Sequence, residues 1–238
     1  MEQFDAVAYI NTPRWQTVNL GLDRTRLLMK KLGNPQDRLK FVHVAGTNGK
    51  GSTCVYTAHI LQAAGYTTGM FTSPYIETFE ERIQVNGQLI SMDELTEVTL
   101  DVKEKAEEVE RETGEHPTEF ELMTAVALCH FARCNCDIVV LEVGLGGRLD
   151  STNIIDAPEV CAIARIGLDH TALLGDTLAQ VAGEKAGIIK TGSAVVSYPQ
   201  DPEAAAVIAQ VAAQVGSPVV QPDFSQLSTG NTALVSEE

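Results

Sequence analysis

The sequence predicts an α/β fold: a mainly parallel sheet with helices on both faces. Three observations carry this reading. Short apolar runs of strand length alternate with helical patterns along the chain, which implies right-handed crossovers between parallel strands. The strand runs are apolar throughout instead of alternating, as strands buried on both faces are. The composition, with 44% hydrophobic, 21% charged and 5% aromatic residues, is that of a globular chain, and no internal repeat or low-complexity linker breaks the series.

Taken in order, Phe41-Val42-His43-Val44 is a short buried strand that runs straight into a glycine-rich turn. Residues 53–64 read as a helix closed by Gly65 at its C-cap, and 67–71 as the next strand. Ser91-Met92-Asp93-Glu94 is a capping box, after which Leu95, Val98, Val102, Ala106 and Val109 form one apolar helical stripe. Residues 91–121 hold twelve acids against Lys103, Lys105 and Arg111, so this stretch carries −9 of the total charge of −15. The acidic run is read as the wet face of a surface helix, closed by Gly114 and Pro117, and not as a metal site. Residues 119–132 look like a mostly buried helix, and 137–143 (Asp-Ile-Val-Val-Leu-Glu-Val) is the strongest strand. Strands are expected at 160–166, 194–197 and 218–221, with a helix over 202–215; the polar residues 224–238 suggest no further element.

The 238 residues suit one large domain or two small ones. Seventeen basic against 32 acidic residues argue against a general binder of nucleic acid or membrane surfaces. No apolar run approaches the ~20 residues that span a bilayer, and Met-Glu-Gln-Phe-Asp does not open like a signal peptide. A soluble, cytoplasmic monomer is expected. The five cysteines (Cys54, Cys129, Cys134, Cys136, Cys161) are read as reduced, buried thiols; the Cys134–Cys136 pair has no companion Cys or His pair at zinc-binding spacing.

The residues richest in chemistry are Ala45-Gly46-Thr47-Asn48-Gly49-Lys50-Gly51-Ser52-Thr53. A strand, a glycine-rich turn and a helix start in succession bring backbone N–H groups and a helix dipole to bear on phosphate oxygens. Lys50 supplies a point charge for the β/γ-phosphates, and Ser52 or Thr53 a hydroxyl for the metal ion. The fold is therefore P-loop NTPase-like, although Gly51 separates Lys50 from Ser52 and departs from the usual G-x-x-x-x-G-K-[ST]. Loops at the carboxyl ends of the strands should complete the site. Four stand out: 71–74, 142–150, 168–171 and 183–190, each beginning near a strand end or opening a helix. Glu142, at the end of an apolar strand, is costly to bury without a cation, and a metal ion is its natural partner.

Gly46-Thr47-Asn48-Gly49-Lys50-Gly51-Ser52, Phe71-Thr72-Ser73-Pro74, Glu142 to Asp150, Asp169-His170-Thr171 and Gly183 to Lys190 together resemble the folylpolyglutamate synthase/dihydrofolate synthase family of the Mur ligase superfamily. The motifs stand in the family's order over residues 20–190, and Gly51 is itself the family's form of the loop. The resemblance implies the Mur ligase central domain and an ATP-dependent amide ligase. ATP would phosphorylate a carboxylate of folate or dihydropteroate, and the amine of L-glutamate would attack the acyl phosphate. It implies a triphosphate cradle of Asn48, Gly49, Lys50, Gly51, Ser52 and Thr53; Mg²⁺ ligands Ser73, Glu142 and His170; and catalytic roles for Lys50, His170 and Lys185. Lys185 matches a lysine that family members can carry as a carbamate. Leu20, Gly21, Leu22, Asp23, Thr118, Phe120, Arg148, Leu149 and Asp150 match pterin- and folate-binding segments.

Plainer readings stand beside these. Ser73 could cap a turn before Pro74, Lys185 could pair with Glu184 or Asp169, and Phe120 could be core instead of a stacking surface. His43, His59, His116 and His130 are given no function. Family members continue into a second, smaller α/β domain. The chain, taken as residues 1–238 of an ATP-binding domain incomplete at its C-terminus, is expected to bind ATP·Mg weakly and to ligate glutamate poorly or not at all. Two rivals remain: a Mur-type ligase of peptidoglycan precursors, and a nucleotide-binding unit without catalysis.

Overall fold

A computed structural model describes residues 4–12 and 21–223. Its strands are β1 (Phe41–Ala45), β2 (Thr68–Phe71), β3 (Ile83–Val85), β4 (Gln88–Leu89), β5 (Ile138–Glu142), β6 (Val160–Ile163), β7 (Ala194–Ser197) and β8 (Val219–Val220). The helices are α1 (Ala6–Asn11), α2 (Asp23–Lys31), α3 (Lys50–Ala63), α4 (Met92–Thr113), α5 (Glu119–Arg133), α6 (Thr171–Leu174), α7 (Leu178–Ala186) and α8 (Pro202–Val215). The strands form one sheet in the order β4-β3-β2-β5-β1-β6-β7-β8. Every pairing from β2 to β8 is parallel, whereas β3 lies antiparallel to β2 and β4 antiparallel to β3.

Side chains alternate across the sheet. On one face Phe41, Phe71, Val139 and Leu141 join a core shared with α1, α2, α4 and α5. On the other, Val42, Val44, Met70 and Val140 pack beneath Cys54 and Ala58 of α3. A third cluster sets Cys161, Ile163 and Val195 against α7 and α8. The alternation continues to Glu142, two residues after Val140, and turns its carboxylate toward the start of α3.

The capping box at Ser91 is formed, Gly114 closes α4 in the left-handed region at φ +77°, and the buried stripe is the one expected, with Thr99 added. The acidic face is solvated and laced with ion pairs: Lys31 reaches Glu108 and Glu112, and Arg133 reaches Glu97 and Asp101. All five cysteines are free; four are buried and Cys134 is half-buried.

Several expectations are corrected. The helix expected from residue 53 begins at Lys50, with Gly49 at φ +85° as its N-cap. The strand expected over 160–166 ends at Ile163; Arg165 and Gly167 instead bond to the turn after β1, and Ile166 N donates to Gln200 Oε1. The segment 183–190 neither follows a strand nor opens a helix. Its first half is the last turn of α7, which starts from a capping box at Thr177 and Gln180. The hairpin of β3 and β4, turning through Asn86 and Gly87, was not anticipated, nor were α1, α2 and α6. Leu20 and residues 224–238 lie outside the described residues.

Candidate active site

The carboxyl ends of β1, β2, β5 and β6 share one edge of the sheet, and the candidate residues collect there. After β1 the chain passes Gly46, where an added Cβ would stand 2.8 Å from Cβ of Ala164. Only a glycine lets the turn lie this close to the exit of β6. The turn is then tied down: Thr47 N and Asn48 N donate to Arg165 O at 2.8 and 3.2 Å. The Thr47 hydroxyl donates to Gly167 O at 2.9 Å and accepts from Gly167 N at 3.0 Å. No side chain caps the start of α3, so its first N–H groups face outward beside Lys50. Such a terminus is an anion site by its dipole and its unpaired donors. The Thr53 hydroxyl donates to Gly49 O at 2.7 Å and is used inside the helix, which leaves the exposed Ser52 as the hydroxyl open to a ligand.

Glu142 is buried at the end of β5. Its Oε2 accepts from Ser73 N at 3.1 Å, and its Oε1 lies 3.9 Å from Lys50 Nζ. Burial pushes its pKa above the usual carboxylate range, against the pull of the Ser73 N–H and of Lys50. One long ion contact and one backbone donor leave this carboxylate short of partners, which suits a hard divalent cation. Among the described residues no cluster of three or more His, Cys, Asp or Glu could hold a metal ion. A Mg²⁺ here would draw on Glu142, on the Ser73 hydroxyl and, if the turn brings it in, on His170. Waters and phosphate oxygens would complete its shell, as is usual for this ion.

Lys185, in the last turn of α7, is buried and donates to Gly46 O at 3.0 Å. Burial foremost, then repulsion from Lys50, pulls its pKa down to about 8, with Asp169 and Asp150 opposing. Glu184 does not pair with it; that carboxylate holds Arg148 at 2.8 Å. His170 stands in the left-handed region at φ 48° on the turn after β6, with more than half of its side chain exposed. Its N–H donates to Asp169 Oδ1 at 2.8 Å, and its ring lies 3.6 Å from the same carboxylate. The structure therefore joins Lys50, Ser73, Glu142 and Lys185 around the turn after β1, and holds His170 on the neighbouring rim through the Thr47–Gly167 bonds.

Two adjoining cavities open beside this group, between α2, the start of α5 and the loop after β5. The first is lined by Gly21, Thr118, Phe120, Arg148, Leu149 and Asp150 of the expected set, and also by Arg24 and Glu121. Leu22 and Asp23 do not line it: Leu22 is buried ahead of α2, and Asp23 faces solvent near Arg26. Phe120 serves both of its readings, since its ring packs 5.9 Å from that of Phe71 and also walls both cavities. An added Cβ on Gly144 would sit 2.4 Å from that ring, so the loop after β5 lies directly against it.

Asp150 is buried and largely consumed by its own loop. It accepts from Leu145 N at 2.8 Å, Thr152 N at 3.0 Å and Thr152 Oγ1 at 2.5 Å. Thr152 Oγ1 in turn meets His43 Nε2 at 2.8 Å. With Asp150 ionised, the Thr152 hydroxyl donates to it and His43 must donate from Nε2, so the order of donors is fixed. Burial pushes the His43 pKa down to about 3 and keeps the ring neutral. Arg24 bridges Glu115 at 2.6 Å and Glu121 at 2.8 Å, while Glu121 also accepts from Thr25 Oγ1 and Thr118 N. These supports escaped the sequence reading, because their partners lie about a hundred residues apart and no motif links them.

Comparison with known proteins gives a consistent picture. The Mur ligase middle domain family matches residues 44–233. The chain is 46% identical over 215 residues to a dihydrofolate synthase/folylpolyglutamate synthase of Bacillus subtilis, covering 90% of this chain and 50% of that protein. It is 41% identical to a folylpolyglutamate synthase of Lacticaseibacillus casei, covering 91% and 51%. Among solved structures, an FPGS–AMPPCP–folate complex superposes with a TM-score of 0.88 at 40% identity, covering 92% of this chain and 53% of that one. The chain thus spans about half the length of the curated relatives it matches.

Proposed function

The chain belongs to the Mur ligase family through its middle domain, and we propose that it takes part in ATP-dependent ligation of L-glutamate to a folate or to dihydropteroate. The observation that carries this is the meeting of Lys50, Ser73 and Glu142 at one strand edge, beside cavities walled by Phe120. Relatives named folylpolyglutamate and dihydrofolate synthases, and a solved complex with AMPPCP and folate, support the substrate class.

In this reading the N-terminus of α3 and Lys50 hold the triphosphate of ATP, from Asn48 through Ser52. Phosphoryl transfer needs chiefly positioning and charge neutralisation, and a bound Mg²⁺ would add charge neutralisation beside Glu142. A carboxylate oxygen of the folate or pteroate attacks the γ-phosphorus, and ADP leaves. The glutamate amine then attacks the acyl carbon, phosphate departs and the amine sheds a proton. Ser73, Glu142 and His170 are the proposed metal donors. Lys185 is proposed to carry a carbamate: a buried amine held near pKa 8 has a neutral fraction able to attack CO₂, losing a proton as the N–C bond forms. An intact-mass gain of one CO₂, absent in Lys185→Ala, would mark it.

The proposed unit is a cytoplasmic monomer. Among the described residues no helix is long and apolar enough to cross a membrane. The test is competition: dihydropteroate should bind the chain in the presence of AMPPCP·Mg, and a UDP-sugar peptide should not displace it. Displacement by the UDP-sugar peptide would replace this reading with a peptidoglycan-precursor ligase. Radiolabelled glutamate incorporation separates a catalyst from a unit that only binds nucleotide.

A further inference from the structure

We infer that the guanidinium of Arg82 is the receptor for the carboxylate of the acyl substrate, in the second cavity between Ser73 and Phe120. The inference rests on the reading that this substrate is dihydropteroate, whose carboxylate stands on an aromatic ring, and it adds a binding residue that neither the motifs nor the resemblance supplied.

Topology puts Arg82 there. Because β3 runs antiparallel to β2, the start of β3 lies at the edge where the parallel strands end: Phe71 pairs with Ile83, and Thr72 N donates to Arg82 O at 3.1 Å. Arg82 thus arrives at the same edge as Ser73, and both line the cavity together with Glu119, Phe120 and Met123.

Its environment is that of a receptor awaiting an anion. Arg82 is only 9% exposed, yet its Nε is buried without a partner, and among the described residues its side chain makes no hydrogen bond or ion pair. The guanidinium carbon lies 4.9 Å from the ring centre of Tyr75 and 5.7 Å from that of Phe79, which fix the plane of the fork without using its donors. Burial pulls its pKa down, and the charges of Glu119 and Tyr75 oppose this. The neighbouring Glu81 cannot neutralise it, because that carboxylate already accepts from the N–H groups of Ile76, Glu77 and Thr78, each at 2.8 Å. Arg24 shows how this fold treats a structural arginine: it receives two carboxylates.

A planar fork of donors matches a carboxylate in two parallel bonds. Phosphate is served elsewhere, by Lys50 and the start of α3. The apolar walls from Phe120 and Met123 suit an aromatic ring bearing the acid, and the shared Ser73 sets the carboxylate next to the group around Glu142. That is where a carboxylate must lie to receive a phosphoryl group.

The test is a cycle of ligand and protein changes on the full chain, read by titration calorimetry with AMPPCP·Mg present. The probes are dihydropteroate and its carboxamide. The unaltered chain should prefer the acid by about 10- to 100-fold. Arg82→Gln should bring that preference to near unity while nucleotide affinity stays within about 2-fold. Arg82→Lys, which keeps the charge and loses the fork, should retain a preference several-fold smaller than that of the unaltered chain, and it carries the test if the glutamine variant does not fold. An unchanged preference in the folded variants overturns the inference and leaves the proposed function standing. Failure of dihydropteroate itself to bind the unaltered chain overturns the substrate reading, and the inference with it.

Discussion

The glycine-rich turn after β1 and the cavities beside Phe120 adjoin along one sheet edge but are built on opposite plans. The turn is local and made of backbone: nine consecutive residues supply the glycines, the helix start and Lys50. The cavities are assembled from residues that are far apart in sequence, Arg24 with Glu121 and Phe120 against Gly144, and are backed by His43 with Thr152 behind Asp150. The first plan tolerates few changes of backbone shape; the second depends on buried partners staying matched. Their separate failure is therefore measurable.

The largest expected effect is from Lys50→Ala, which should weaken AMPPCP·Mg binding roughly 100-fold by removing a charge-assisted contact and leave dihydropteroate binding within a few-fold. Equal losses for both ligands would show that the two regions are one. Gly46→Ala should cost about 1–3 kcal/mol in urea denaturation, because the new methyl group meets Ala164 at 2.8 Å, with nucleotide affinity falling alongside. A stability matching that of the parent would mean that the turn does not need its closeness to β6. Thr152→Val should cost about 1–3 kcal/mol by leaving His43 and Asp150 without their shared partner, and here the pteroate affinity should fall while the nucleotide affinity holds.

Acid tests the same chain of bonds. The folded pKa of His43, about 3, lies below the ordinary 6.5. Between those values the unfolded chain binds the extra proton, so this residue's contribution is complete above pH 6.5 and is lost as pH falls toward 3. The slope is at most about 1.4 kcal/mol per pH unit. His43→Gln, which can still donate to Thr152 but does not titrate, should flatten the fall in stability between pH 6.5 and 4.5. Parallel curves for variant and parent would refute the buried neutral ring. The smallest effect serves as the control: Ser91→Ala removes the N-cap of α4 and should cost about 1 kcal/mol, with neither ligand affected.

The same contrast explains what could be read without coordinates. β1, β7, α4 and α8 follow from apolar runs and caps and lie within a residue or so of their expected places. The turn after β1 and Glu142 follow from local spacing and from the oddity of an acid ending an apolar strand. What escaped depends on pairing over distance. β3 and β4 are too short, and alternate too weakly, to declare themselves, and Arg82 gains its meaning only from the antiparallel register they adopt. Asp23 sits in a matched segment yet points away, since the helix that begins at it turns it outward. The segment 183–190 is expected among the loops near strand ends, but the capping box at Thr177 starts a helix that runs through Ala186.

The reciprocal bonds between Thr47 and Gly167 carry a mechanical consequence. A turn fastened in this way cannot tighten around a triphosphate without hauling the rim that bears Asp169 and His170 along with it. Under the proposed function, a nucleotide seated on the turn would be felt at the histidine through these two bonds.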